Sequence, residues 1–270
     1  MDVRLGTLPL LLAAWPCIAE TGSAELRELV RRGCELRKLN DARLKDYTVL
    51  RRVHKQQFDG DGRIKSEEIY TVRTDMVDGR RTSRVVERND QPLSAEAGAR
   101  EEKKHRRTMT DGRKPGGKDD IGLDDRFFSE LPDALEFKLA GRDRIADRDV
   151  LVIDFQPRAG YKAKTIRTRL FEKCQGRVWL DAEDYQVHRV AAELTDDISL
   201  GWGLAHIDKG SRYLLEQERT AGGAWVPKKE VVRFGGRFMM MRVANGEVDT
   251  SFRVWKRSAA LLGAARDGTP

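Results

Sequence analysis

Cysteine, proline and aromatic residues are scarce in this chain of 270 residues, which has 3 Cys, 8 Pro and 7% Phe, Trp and Tyr. Three cysteines without a CxxC pair exclude a zinc ribbon or a thioredoxin-type redox motif. The four histidines, His54, His105, His188 and His206, are scattered and form no HExxH helix. The sequence lacks a Gly-x-Ser-x-Gly elbow, a phosphate loop and a Ser-x-x-Lys pair. The segment GWGLAH (201–206) has two glycines at dinucleotide spacing but not the third. The chain also has no apolar run of the roughly eighteen residues a membrane helix needs. These absences speak against the common hydrolytic, nucleotide-dependent and zinc-dependent chemistries, so no catalytic residue, metal or cofactor is expected.

What is abundant is charge. Lys and Arg number 51 against 44 Asp and Glu, giving +7, and charged residues make up 35% of the chain. Most alternate with apolar residues, as on strands with one wet face. A hydrophobic share of 39% suffices for a core. RNP-type aromatics and zinc-finger spacing are missing, so the basic balance suits anionic lipid surfaces better than nucleic acid.

The N-terminus reads MDVRLGTLPLLLAAWPCIAE: Arg4, an apolar run from Leu5 to Ala14, then small residues at Cys17 and Ala19. That pattern predicts a secretory signal cleaved near Ala19 and hence a periplasmic protein. Trp15 and Pro16 precede Cys17, where a lipidated cysteine would need a small residue. Cys34 and Cys174 then remain in an oxidising compartment, and a single bridge or two buried free thiols are both open.

From Ala24 to Leu44, Leu26, Leu29, Val30, Leu36 and Leu39 recur at three- and four-residue steps, predicting an amphipathic helix weakened by Gly33. Alternating segments follow, from YTVLRRVHKQQF (47–58) to a last strand through Phe252 and Trp255, with roughly eleven strands joined mostly by tight turns. The DGDG turn at 59–62 resembles the start of a calcium loop, but Arg63 and Ile64 stand where a ligand and the turn glycine belong. Asn245-Gly246 reads as a hairpin turn. Residues 94–124 form a charged insertion, an exposed helix and then a Gly- and Lys-rich loop; His105 among its bases suits a solvated helix better than an anion site. Phe127, Phe128 and Leu131 make one apolar helical turn. The expected fold is α+β, mostly β: one large curved antiparallel sheet, a half-open β-barrel, with helices over the concave face, as a single domain over 20–257 followed by a tail at 258–270.

Two clusters bear on function. In GRVWLDAEDYQVHRVAAEL (176–194), Asp181, Glu183 and Asp184 fall between two strands, where Asp caps backbone amides, so a structural turn is expected rather than catalytic acids or metal ligands. On the same strand, His188 fits a satisfied core or rim histidine. In the last third, the run Met239-Met240-Met241 and several aromatics suit either a core or a surface for irregular apolar ligands. Trp179, Trp225, Phe234, Met240 and Phe252 are the candidate cavity-lining residues.

The order of signal, amphipathic helix, a strand opening with YT, and then GRVWLDAEDYQVHRV followed by GAWVPKKEVV resembles the LolA/LolB-like superfamily. The resemblance implies a half-open barrel closed by helices around an apolar cavity that holds lipid or the acyl chains of lipoproteins, carried by a monomer without turnover. It also allows a sensor or interaction domain of the same fold that regulates an envelope membrane protein.

Overall fold

The computed structural model describes residues 22–44, 47–77, 80–110, 125–200, 205–238 and 241–257. The expected signal segment, the Gly- and Lys-rich loop, the candidate lining residue Met240 and the expected tail lie outside them.

Helix α1 (Ser23–Leu44) leads into strands β1 (Tyr47–Phe58), β2 (Ile64–Val77), β3 (Arg80–Arg88) and β4 (Gln91–Pro92). Next come α2 (Ala95–Thr110), α3 (Asp125–Ala134), β5 (Leu135–Ile145), β6 (Arg148–Pro157), a 3-10 turn at Thr168–Glu172, β7 (Cys174–Asp181) and β8 (Val187–Leu194). Strands β9 (Ile198–Leu200), β10 (Ala205–Ile207), β11 (Arg212–Arg219), β12 (Trp225–Phe238) and β13 (Met241–Arg257) follow. They build a single antiparallel sheet of 13 strands in the order β4-β3-β2-β1-β13-β12-β11-β8-β7-β6-β5, with the β9–β10 hairpin branching from β12. The path ends at β4 and β5, so the sheet does not close, and the expected half-open architecture is what the chain adopts. None of the described helices is long and apolar enough to cross a membrane.

Turn chemistry accounts for the meander. Asp59 accepts the amides of Asp61 and Arg63, both at 2.9 Å, and Gly62 takes φ +79°, so the calcium-like DGDG is an Asx-capped hairpin turn. Asn89 and Asp90 both take positive φ between β3 and β4. Asn245-Gly246 is not a turn. It lies inside β13, where Gly246 pairs with Phe234 and a Cβ would come 3.2 Å from that ring. The glycine makes room for an aromatic across the ladder.

Helix α1 buries Leu26, Val30, Asn40 and Leu44, with Gly33 and Arg37 completing the same stripe. Leu39, expected on the apolar side, is 61% exposed. The polar members of the stripe are each matched. Gly33 passes so close to the Tyr185 carbonyl that a Cβ would stand 2.8 Å from its oxygen. The Arg37 guanidinium lies 3.8 Å over the Phe128 ring, and Asn40 bonds both backbone groups of Trp225, at 2.7 and 2.8 Å. The main core lies under α1 and α3, where Leu26, Val30 and Phe127 meet Leu135, Phe137, Ile153, Phe155 and Leu180 of the sheet. Helix α2 sits apart, against β3, with Arg84 3.0 Å from Glu102.

Candidate functional site

Directly paired residues of an antiparallel sheet share a face, so register alone sorts the two surfaces. Starting from Leu139 and Ile153 in the core, one row runs Val178, Val190, Leu215, Glu230, Thr250, Val53 and Tyr70 from β7 to β2. This is the concave face. The neighbouring row runs Trp179, Arg189, Glu216, Lys229, Ser251, Arg52 and Thr71 on the convex face. There the charges pair in place, with Arg189 2.9 Å from Glu216, Arg177 2.6 Å from Asp154 and Arg52 2.7 Å from Asp90.

The concave face has two halves. Over β5 to β8 it is filled by α1, α3 and the Phe127–Phe171 contact, whose ring centroids are 4.4 Å apart. Over β11, β12, β13 and β1 its apolar residues, including Leu215, Val232, Phe234, Val248 and Phe252, stay only half-buried. Polar side chains stand among them, Thr250 and Lys55 as well as Tyr213, Glu230 and Arg51. Glu230 accepts a hydrogen bond from Tyr213, and burial pushes its carboxyl above the usual carboxylate range against the pull of Tyr213 and Arg51. The Tyr213 hydroxyl is raised as well, first by burial and then by Glu230. The Arg51 Nε is buried and has no hydrogen-bond partner among the described residues.

Of the candidate lining residues, Phe234 and Phe252 belong to this concave half. Trp179 points the other way, under Arg189 at 5.4 Å, because Leu180 and Val178 claim the core side of β7. Trp225 is 2% exposed and engaged: its indole donates to Asp184 at 3.0 Å and its ring meets His188 edge-on at 4.5 Å. Cys34 and Cys174 are free thiols packed against the same core, each pushed up to about 11 by burial. Arg51, Tyr213 and Glu230 of the concave half went unread in the sequence, although a signal was present. Val49-x-Arg51-x-Val53, Tyr213-x-Leu215 and Glu230-x-Val232-x-Phe234 each place a polar residue in phase with apolar ones.

Asp181 anchors the turn between β7 and β8. It is 0% exposed, binds Arg148 at 2.5 and 2.7 Å, and accepts the amides of Glu183 and Asp184 at 3.0 and 2.7 Å. Burial alone would raise its carboxyl, but Arg148 and those amides outweigh burial and hold it below the usual range. His188, 3.4 Å from Asp181, is lowered by burial and partly restored by that carboxylate. Arg219 closes the network on Asp184 at 2.8 Å. Each acid is used by a neighbour, as a structural turn requires. Near the β9–β10 hairpin, Asp197, His206 and Asp208 bring ligand-type atoms within 4.8 Å of one another, an arrangement that an imidazole between two carboxylates also explains.

No protein-family model matches the sequence, and no curated protein matches it. Among solved structures the chain is similar to a DUF1329 family protein from Desulfovibrio piger, at 12% identity and a TM-score of 0.32, covering 84% of this chain and 92% of that one. It is also similar to a LolA superfamily protein from Nitrosomonas europaea, at 11% identity and a TM-score of 0.28 over 85% and 92% of the two chains. A third is MucB in complex with MucA(peri), at 12% identity and a TM-score of 0.24 over 85% and 93%. The likeness concerns fold alone.

Proposed function

We propose that the protein is a non-catalytic periplasmic carrier that holds an acyl chain along the concave half formed by β11, β12, β13 and β1. One observation supports this reading above the rest. The helices cover the β5–β8 half, while Leu215, Val232, Phe234, Val248 and Phe252 remain half-buried on a face that otherwise carries the core. Covering such a face with a ligand gains roughly 0.8 kcal/mol per buried methylene, so a long chain binds without a specific pocket for each carbon. Released ligand leaves unchanged, and the chain needs no acid, base or nucleophile for that cycle.

Titration with the uncharged probe N-phenyl-1-naphthylamine tests the proposal. Saturable fluorescence enhancement is expected, weakened at least fivefold by Phe234→Ala and further by Val232→Asp, with circular dichroism unchanged. Mass spectrometry of the native protein should find lipid in stoichiometric amount. A flat titration of folded protein would overturn the carrier reading and leave the interaction-domain alternative.

A further inference from the structure

Two connections at one end of the sheet share a design that an acyl-chain site on the concave half does not use. Antiparallel order puts the end of β6, the start of β7, the end of β1 and the start of β2 on the same rim. Of the exposed large apolar side chains among the described residues, two are there: Ile64 after the β1–β2 turn and Ile166 in the β6–β7 loop, each 55% exposed. Both sit between cations, in Arg63-Ile64-Lys65 and in Lys164-Thr165-Ile166-Arg167.

The β6–β7 loop is held so that its acids face in and its cations out. Residues 158–173 contain six Lys or Arg and a single acid, Glu172, so the loop cannot neutralise itself. Glu172 accepts the Ala163 amide at 2.9 Å, and the buried Glu130 of α3 accepts the Lys164 amide at 3.2 Å together with the Tyr161 hydroxyl. Thr168 and Phe171 are buried beneath. Among the cations, Arg158 binds the Pro132 and Leu135 carbonyls, Lys173 binds Asp196 at 2.7 Å, and Arg169 reaches the Ser199 carbonyl at 2.8 Å and Glu172 at 3.9 Å. Arg167 is engaged as well. Lys162 and Lys164 are exposed and form no ion pair among the described residues. Other acids on this rim are occupied: Asp59 by the amides of Asp61 and Arg63, Asp61 by Arg63 at 3.8 Å, and Asp197 and Asp208 by His206 at 3.3 and 3.4 Å.

A lone apolar side chain between cations fits poorly into a protein interface, whose apolar residues gather in a buried centre with the charges at its rim. Nucleic acid would answer the cations and leave the isoleucines unused. A bilayer answers both, with anionic head groups for the cations and the acyl boundary for the isoleucine. From β7 to β2 the sheet order counts six strand spacings, about 29 Å along the sheet, a separation that one extended lipid surface spans.

We propose that this end of the sheet docks on an anionic phospholipid surface, through Lys162, Lys164 and Ile166 of the β6–β7 loop together with Ile64 and Lys65 of β2. Such docking asks nothing of the concave half, so it stands or falls apart from the carrier reading.

Co-sedimentation of the protein with vesicles tests it. Binding to vesicles that contain phosphatidylglycerol should exceed binding to pure phosphatidylcholine vesicles at least tenfold and should fall at high salt. Lys162→Glu combined with Lys164→Glu should weaken it at least fivefold, and Ile64→Ser combined with Ile166→Ser at least threefold with the salt dependence kept. Arg142→Glu combined with Lys228→Glu makes the same charge change at the opposite end of the sheet and should leave binding within twofold. All these side chains are exposed, so unchanged melting temperatures should accompany the losses. Equal binding to the two vesicle types, binding to neither, full binding by the lysine or the isoleucine variant, or an equal loss in the opposite-end variant overturns the assignment, and an acidic protein becomes the partner to seek.

Discussion

Replacing Asp181 with Asn keeps the side-chain volume but removes the charge that faces Arg148, which then lacks its closest partner in a largely buried site. Losing one member of such a pair costs about 3 kcal/mol or more, because the other charge stays behind. Glu183, whose side chain is 82% exposed, touches the same guanidinium at 3.1 Å, so Glu183→Ala should cost less than about 1 kcal/mol. Urea denaturation of the two variants measures the contrast, and equal losses would contradict the assigned roles. Asp181 is held below the usual range, so its contribution is present above the ordinary carboxylate pKa and fades as pH falls through the lowered folded value. Glu230 has the opposite sign. Its folded value lies above 4.5, so the ionised form is disfavoured in the fold and stability falls as pH rises through that folded value. Glu230→Gln should therefore be more stable than the unaltered protein at pH 8 and lose that part of the pH slope. A slope that remains unchanged in thermal melts between pH 4 and 8 would refute it.

At the scale of elements, the glycines show what sequence reading can and cannot recover. Gly33 reads as a weak point in α1 because helix propensity is local. In the fold its missing Cβ lets the helix touch the Tyr185 carbonyl, a contact between segments remote in sequence. Gly33→Ala improves propensity by roughly 1 kcal/mol yet places a carbon 2.8 Å from a backbone oxygen that cannot swing aside. Net destabilisation of about 1–3 kcal/mol is expected from the overpacking, and a melting temperature at or above that of the unaltered protein would show that the helix shifts freely. Gly246 misled in the same way, since Asn-Gly is a strong local turn signal and only pairing with Phe234 explains it mid-strand. Alternation fixed the presence of most strands and the turn at Asp181. It could not tell which face of β7 carries Trp179, because Val178, Trp179 and Leu180 are all apolar and the decision rests with packing under α1 and α3. The polar residues of the concave half were hidden by company: Lys228 and Lys229 make Glu230 look solvated, and Arg52 does the same for Arg51.

Across the whole molecule, the sheet brings the first and last described strands together, as β1 pairs with β13 from Tyr47↔Arg257 to Gln57↔Gly246. A chain ending at residue 238 should therefore leave β1 and β12 as long unpaired edges and aggregate rather than fold. Soluble, cooperatively melting protein from that truncation would show that the two halves of the sheet are independent. The same pairing sets a time order for a chain made from its N-terminus. The strand that joins the two halves is the last of the described strands to be made, so hairpins on either side must wait with open edges until it arrives. A nascent chain in that condition keeps two open sheet edges until β13 has emerged. Such edges are what a holding chaperone has good reason to cover.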